Sequence, residues 1–476
     1  MKRWSLIGIA VIMSMVLFSA CSSSGRSDGP LDPDRPITVS VWHYYNGNIK
    51  DKFDALVTEF NEGRGVELGI VVDAQSQGDV GQLATAVFES ATKSIGSQPM
   101  PDIFAAYPDN AFRIHDVVDL VHLKTYFTDE ELGAYRAEFL EEGRFLTDGQ
   151  YYILPIAKSS ENLYVNGTFW QDFSRVHGFS NADLGTWEGL ARVAETYYLE
   201  TGKGFFGIDA NANYMLQAGM QLGNEIFEFS KDGTATFSMN RETALQIWTY
   251  YYTPYIKGHF VKTGRFSSDD AKTGTVMAYT GSTAGASYVP TEVTFSETQI
   301  EDFGPLVLPY PVFEKGALFA MQQGAGMCIT KSDEAHEYAA AEFLKWFTEN
   351  DQNIEFSIST GYFPVKNSAL NESELLKAAE QAQVSNPAIV SSIKSSLIMF
   401  DTYTLYNNPP FEGSYEIRNL LETHLFDKVV SDLEELALKV AGGANRDTVI
   451  EALTSETAFE VWYEDLKKEA QLVLNP

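Results

Sequence analysis

The sequence predicts an α/β fold divided over two domains or more. Segments that read as strands alternate with segments that read as helices. The 476 residues exceed what one ordinary core organises. A composition of 44% hydrophobic and 21% charged residues is that of a globular chain, not a disordered or collagen-like one.

Ile37–Trp42 reads as a strand, and a helix follows over 49–61 with Phe53, Leu56, Val57 and Phe60 on one face. Val66–Val72 reads as a second strand. Residues 78–95 read as a helix carrying Val80, Leu83, Ala84, Val87 and Ala91 on one stripe. Asp102–Tyr107 is the third strand. This βαβαβ order implies a mostly parallel sheet with helices on both faces. Ligands of such sheets bind outside the carboxyl ends of the strands. Those ends carry Trp42, His43, Tyr44 and Tyr45, and Tyr107, Pro108 and Asp109. Further on, Tyr151–Ile156 leads through Lys158, Ser159, Ser160, Glu161 and Asn162 into Leu163–Asn166. A helix opens at Trp187 with Thr186 or Asp183 as its cap. Val276–Tyr279 is a short strand ending in Thr280, Gly281 and Ser282. Residues 335–350 form an amphipathic helix, 361–365 a loop, and 416–440 a mostly helical stretch.

The first twenty residues have the make-up of an export signal. Lys2 and Arg3 form a positive start, and Leu6–Phe18 is an apolar run too short to span a bilayer comfortably. Phe18-Ser19-Ala20-Cys21 resembles the lipobox of bacterial lipoproteins, with Phe18 where Leu is commoner. Cleavage there makes Cys21 a lipidated N-terminus, and two or three acyl chains anchor it stably. The alternative is an ordinary secretory signal with a chance cysteine. Residues 21–36, with Ser, Gly, Pro and Asp after the cysteine, read as the lipidated end and a flexible tether. Export places the body outside the cytoplasm, facing the periplasm or the cell exterior. The second of the two cysteines, Cys328, reads as an inert thiol in a buried strand.

Lys and Arg total 34 against 65 Asp and Glu, a net charge of −31. Nucleic-acid binding and docking on anionic lipid through a basic face are both disfavoured, since each draws on positive charge. No His-Glu-x-x-His, Cys-x-x-Cys, Walker phosphate loop, Gly-x-Gly-x-x-Gly or Gly-x-Ser-x-Gly is present, and the seven histidines are scattered. No metal, cofactor or catalytic residue is expected. Ser90/Lys93 and Ser391/Lys394 match Ser-x-x-Lys, and Lys262–Gly264 and Lys272–Gly274 match Lys-Thr-Gly, but the Ser-Asp-Asn that accompanies them in penicillin-binding proteins is missing. Aromatic residues reach 13%. Those at strand ends offer flat faces to a sugar while neighbouring Asp, Asn, Ser and Arg bond its hydroxyls; packing in the core is the alternative for each.

An ordered set of landmarks resembles the extracellular solute-binding proteins of bacterial ABC transporters, in the large sugar-binding family. They are Val39–His43 before a helix ending Glu59–Glu62, Pro101-Asp102-Ile103, Tyr152–Pro155 through Ser159 and Ser160 to Leu163–Asn166, Thr186-Trp187, Gly274–Ala278, and Gly361–Val365. The resemblance implies the two-lobed type II periplasmic-binding fold, with ligand in a cleft between lobes joined by hinge segments. One lobe would hold 37–156 and 305–350, the other 157–304 and 351–476. It implies a monomer without enzymatic activity that closes on its ligand and delivers it to ABC permease transmembrane subunits. Within the family the nearest fit is the glycerol-3-phosphate and glycerophosphodiester group, whose ligand contacts correspond to Ser282, Gly324, Tyr362 and Arg418. Arg418 would take phosphate with its guanidinium fork; the alternative is that it caps or salt-bridges a helix. Lys158 and Ser160 stand where that group has Ser and Thr, and Pro108 where it has Glu. A sugar or oligosaccharide is therefore the expected ligand, with Trp42, His43, Tyr44, Tyr107, Asp109, Ser159, Ser160, Ser282, Gly324, Tyr362 and Arg418 as its site. Glycerol 3-phosphate or a glycerophosphodiester is the alternative, and a secreted carbohydrate-active enzyme or a surface adhesin stands behind both.

Overall fold

The structure, a computed structural model, describes residues 30–384 and 386–475. The export signal, Cys21 and most of the tether lie outside the described residues. Leu31 is buried in the hydrophobic core, so the tether expected to run to Pro36 stops before it.

The described strands are, in chain order, β1 (Ile37–His43), β2 (Ile70–Ser76), β3 (Ile103–Ala106), β4 (Glu161–Val165), β5 (Phe206–Ile208), β6 (Phe227–Phe229), β7 (Ala235–Phe237), β8 (Ala278–Ser282), β9 (Glu292–Ser296), β10 (Gln299–Asp302), β11 (Leu306–Pro309), β12 (Phe319–Met321), β13 (Gly326–Ile329) and β14 (Thr404–Tyr406). Two four-stranded sheets organise two lobes. The first has the order β13-β3-β1-β2, with β1 parallel to β2 and β3 and only β13 antiparallel. The second has the order β11-β4-β8-β5 and is mixed.

The first sheet is fastened as its sequence suggests. Asp102, in the Pro-Asp-Ile landmark, accepts from both the backbone N–H and the hydroxyl of Ser40, at 2.8 and 2.7 Å. That locks the start of β3 to the middle of β1. Cys328 sits fully buried in β13, where burial pushes its thiol upward and away from reactivity. In the second lobe Thr186 caps the helix Trp187–Thr201 by accepting from Gly189 N–H at 3.1 Å.

Three chain segments cross between the sheets, and they are hydrogen-bonded to one another. Leu154 and Met327 exchange two backbone bonds, as do Ser159 and Gln323, and Lys158 and Phe363. Two of the expected lobe boundaries fall before the points where the chain changes lobe. β11 pairs with β4 in the second sheet, and Val312, Ala317 and Met321 still bond to Gly185, Gln221 and Gln217 of the second lobe, so the chain returns to the first lobe only past Met321 and not at 305. The helix Asn350–Thr360 packs on the helix Gly47–Glu62 of the first lobe, so the final departure comes after Thr360 and not at 351.

Two elements differ from their sequence readings. Val66 lies in a short helix, Arg64–Leu68, and is 65% exposed. β2 begins only at Ile70, because Gly69 turns the chain in the left-handed region at φ +74° beside the carbonyl of Asp32. The helix expected over 78–95 spans Val80–Ala91. Asp79 and Gln82 close a reciprocal capping box at its start, and Ile95 beyond its end is fully exposed. Among the described residues no helix is long and apolar enough to cross a membrane.

Candidate functional site

A cavity opens where the lobes meet, at the carboxyl end of β3. Its volume is about 610 Å³ with the open mouth included. The first lobe contributes Tyr107, Pro108 and Asp109. The second contributes Asn213, Leu216 and Phe227, the crossing segment Met321–Gln323, the loop Asn407–Phe411, and Ser414 and Arg418 from the long helix Ser414–Ala441. Of the expected site residues, Tyr107, Asp109 and Arg418 face this space. Asp109 stands in the first turn of the helix Pro108–His115 and accepts from Asn110 N–H at 2.7 Å. Burial raises its carboxyl above the ordinary range, and the guanidinium of Arg418 offsets only part of that rise. Arg418 donates to Asn213 Oδ1 at 2.7 Å. Carboxylate and guanidinium thus flank one polar cavity from opposite lobes.

The other expected residues fall around the cavity rather than in it. Trp42 and His43 are interior to the first lobe. β1 runs through both, so the strand end that was to expose them lies one residue later. His43 stacks on Tyr45 and meets Phe53 at a tilt, and burial lowers its imidazole to about 4. It is a neutral core histidine, and its Nδ1 accepts from Tyr45 N–H at 3.1 Å. Tyr44, Tyr362 and Gly324 form a layer behind Tyr107. Gly324 N–H donates to the Tyr107 hydroxyl and Ala325 N–H to the Tyr44 hydroxyl, both at 3.3 Å, and the Tyr44 and Tyr362 hydroxyls lie 3.5 Å apart. Ser159 belongs to the crossing ladder, Ser160 donates to the Met321 carbonyl at 2.7 Å, and Ser282 lies 3.5 Å from the Ser159 hydroxyl. These serines hold the crossing segments together. Lys158 is buried in an ion pair with Glu142 and donates to the Gly324 carbonyl at 2.7 Å. Its charge is spent inside the protein and offers nothing to an anion in the cleft.

Sequence reasoning missed the amides. Asn213, Gln322, Gln323, Asn407 and Asn408 line the cavity. The one signal available was Asn407-Asn408-Pro409-Pro410, a dense run of turn formers.

Asn213 also connects the cleft to a buried acid. Its Nδ2 donates to Glu161 Oε2 at 3.3 Å, and Gln217 Nε2 donates to the same oxygen at 2.9 Å. Among the described residues no cation pairs with Glu161. Burial pushes its carboxyl up to about 8, against two amide donors that lower it and the charges of Asp209 and Glu422 that raise it further. The unfolded carboxyl titrates at its ordinary 4.5, so between about 4.5 and 8 the folded protein binds the extra proton. Stability therefore falls as pH rises through that window, by at most about 1.4 kcal/mol per pH unit. Glu161→Gln is expected to flatten the slope, its advantage over the parent growing from pH 5 to pH 8. Urea midpoints at pH 5, 7 and 9 that run parallel for the two proteins would refute this.

The lobes also touch at the rim. The Arg113 guanidinium lies between the rings of Phe88 and Tyr415, 4.3 and 4.1 Å from their centroids, and 3.8 Å from Glu416. Arg265 meets Asp79 at 3.3 Å. Among the described residues, His424, Asp465 and Glu469 bring potential metal-ligand atoms within 4.8 Å of one another. Trp462 Nε1–H donates to His424 Nδ1 at 3.2 Å. With Nδ1 taken up as an acceptor, the Nε2 that faces Asp465 and Glu469 at 3.6 and 3.9 Å is the N–H nitrogen of the neutral ring and has no lone pair for a metal.

Residues 55–384 match the profile of the bacterial extracellular solute-binding proteins. The chain belongs to that family. No curated protein matches it. Among solved structures, this solute-binding protein is similar to the cyclic α-maltosyl-1,6-maltose binding protein of Arthrobacter globiformis, at 20% identity over 92% of this chain and 99% of that one, with a TM-score of 0.65. It is similar to UgpB from Mycobacterium tuberculosis in complex with glycerophosphocholine, at 18% identity over 92% and 98%, TM-score 0.64. It is also similar to an ABC substrate-binding protein from Listeria monocytogenes in complex with cycloalternan, at 14% identity over 92% and 99%, TM-score 0.66. The expected two-lobed type II fold is the fold of this solute-binding protein, with the candidate cleft between its lobes.

Proposed function

We propose that this protein captures a neutral sugar or oligosaccharide between its lobes and delivers it to the membrane subunits of an ABC importer. The observation that carries the reading is Asp109. An acidic side chain facing the cavity suits sugar hydroxyls and opposes a phosphate. Arg418 faces the same space but is balanced by that carboxylate and already donates to Asn213. The Gly324 and Ala325 N–H groups, which a phosphate would need, are engaged by Tyr107 and Tyr44. The amides, Tyr107 and Phe227 supply the polar and flat surfaces a sugar ring uses. Of the similar proteins named above, one is a cyclic α-maltosyl-1,6-maltose binding protein, one is in complex with cycloalternan and one with glycerophosphocholine. Ligand contacts on both lobes favour the closed arrangement, and the rim contacts of Arg113 and Arg265 add to it. Acylated Cys21 would hold the body on the membrane surface through the tether. Family membership and the missing catalytic motifs support a binding protein rather than an enzyme.

Thermal unfolding with maltose, maltotriose, cellobiose, glycerol 3-phosphate and glycerophosphocholine tests the reading. A ligand at a hundred times its Kd raises stability by about 2.7 kcal/mol. A sugar is expected to give such a shift, and Asp109→Ala to weaken its binding tenfold or more. A response confined to the two phosphate compounds, kept in Asp109→Ala and lost in Arg418→Ala, would move the protein to the phosphate group.

A further inference from the structure

The inner cavity adjoins a second one. The outer groove, about 1010 Å³ with its open side included, lies between the 137–146 segment of the first lobe and Leu405–Pro409. Gln322, Asn407, Asn408 and Pro409 line both spaces. Gln322 is only 5% exposed. Its Nε2 donates to the Glu138 carbonyl at 3.0 Å, which fixes the sense of the amide, because an amide oxygen cannot face a carbonyl. Its Oε1 then has no partner among the described residues. A buried carbonyl oxygen in that position carries a desolvation penalty until a donor reaches it. The inner cavity repeats the pattern at Ser414, whose buried hydroxyl also lacks a partner among the described residues.

We propose that the ligand passes through this junction. One ring occupies the inner cavity among Asp109, Arg418 and Ser414, a second lies in the outer groove, and a hydroxyl near their linkage donates to Gln322 Oε1. The inference rests on the sugar reading above and narrows it to oligosaccharides of two rings or more. The groove's own chemistry agrees with neutral rings. Glu138, Glu141 and Glu142 line it, and each is paired with a cation: Arg136 at 3.2 Å, Arg144 at 2.7 Å, and buried Lys158. Paired carboxylates keep lone pairs for hydroxyl donors, and the cations they hold are not free for a phosphate or a uronate.

Calorimetric titration of the purified protein with glucose, maltose and maltotriose, and with the matching cellobiose and cellotriose, tests it. The two-ring ligand of the preferred series is expected to bind at least tenfold more tightly than its monomer. Gln322→Met, which keeps the bulk and removes the acceptor, is expected to lose about tenfold for that ligand. Ala137→Trp fills only the outer groove from an exposed position. It is expected to abolish the gain from the second ring and leave monomer binding unchanged. Should Gln322→Met fail to fold, Ala137→Trp decides alone. Monomer and oligomer binding equally, both indifferent to Ala137→Trp, would overturn the inference and leave sugar capture standing. Full oligosaccharide affinity in a folded Gln322→Met would remove Gln322 from the site. Binding of glycerol 3-phosphate or glycerophosphocholine with no response to any sugar would overturn the sugar reading itself, and this inference with it.

Discussion

Lys158→Met is expected to destabilise the protein by about 3–5 kcal/mol, the usual consequence of stranding one partner of a buried ion pair. The side chains of Lys158 and Glu142 are 1% and 5% exposed. Burial pushes the lysine down and the carboxyl up, and each partner's charge opposes the shift of the other. Without the ammonium, only the side-chain bond from Asn407 still opposes the burial of Glu142, and Asp109 nearby raises it further. Its folded pKa then lies well above the unfolded value, so the variant's stability is greatest at low pH and is lost as pH rises through the folded pKa. The deficit against the parent should shrink at pH 5 and widen at pH 8. Lys158→Met combined with Glu142→Leu removes both charges and should recover most of the loss. Urea unfolding of the parent, the single and the double variant reads these outcomes. A single variant within 1 kcal/mol of the parent, or a deficit that ignores pH, would mean that the pair contributes little.

The sequence made some of this architecture visible and hid the rest for definite reasons. Tyr107 and Asp109 were legible because a parallel sheet presents the carboxyl ends of its strands, and β3 is short and bounded by Asp102 and Pro108. The same rule misplaced Trp42 and His43, because β1 continues to His43 and both side chains turn into the first core. Arg418 was reached only through the family resemblance, since nothing in the periodicity of a 28-residue helix marks one arginine as facing a cleft. The Lys158–Glu142 pair was hidden because its partners stand 16 residues apart, where local spacing gives no hint of contact. Asn213, Gln322, Asn407 and Asn408 come from a helix interior, a crossing segment and a loop. Amides at such separations converge only through tertiary structure, and they carry no charge or period to announce it. The mixed second sheet escaped notice because β4, β8 and β11 are four or five residues long and nearly all apolar or fully buried.

Gly324→Ala should have a comparable effect by a different route, through the backbone of the crossing. Gly324 has φ +91°, a region that L residues rarely occupy, and a Cβ there would lie 2.5 Å from the carbonyl oxygen of Ala157 and 3.2 Å from Lys158 Cα. Both obstacles are backbone atoms of a neighbouring crossing segment, held by the paired bonds of Ser159 with Gln323 and of Lys158 with Phe363. No rotamer change relieves such a contact, so the segments must separate. Separation loosens the Lys158 bond to the Gly324 carbonyl and the Gly324 N–H bond to Tyr107. Strain of about 1–3 kcal/mol for the conformation alone, with the clash added, sets the expected loss at about 3 kcal/mol or more. The same displacement moves Tyr107 at the cleft wall, so ligand affinity should fall together with the unfolding midpoint. Gly285→Ala is the control, because nothing lies within 4 Å of where its Cβ would go, and it should leave both quantities unchanged. A Gly324→Ala protein with parental stability and parental affinity would show that the crossing segments yield freely, and that the glycine is there for no reason of close approach.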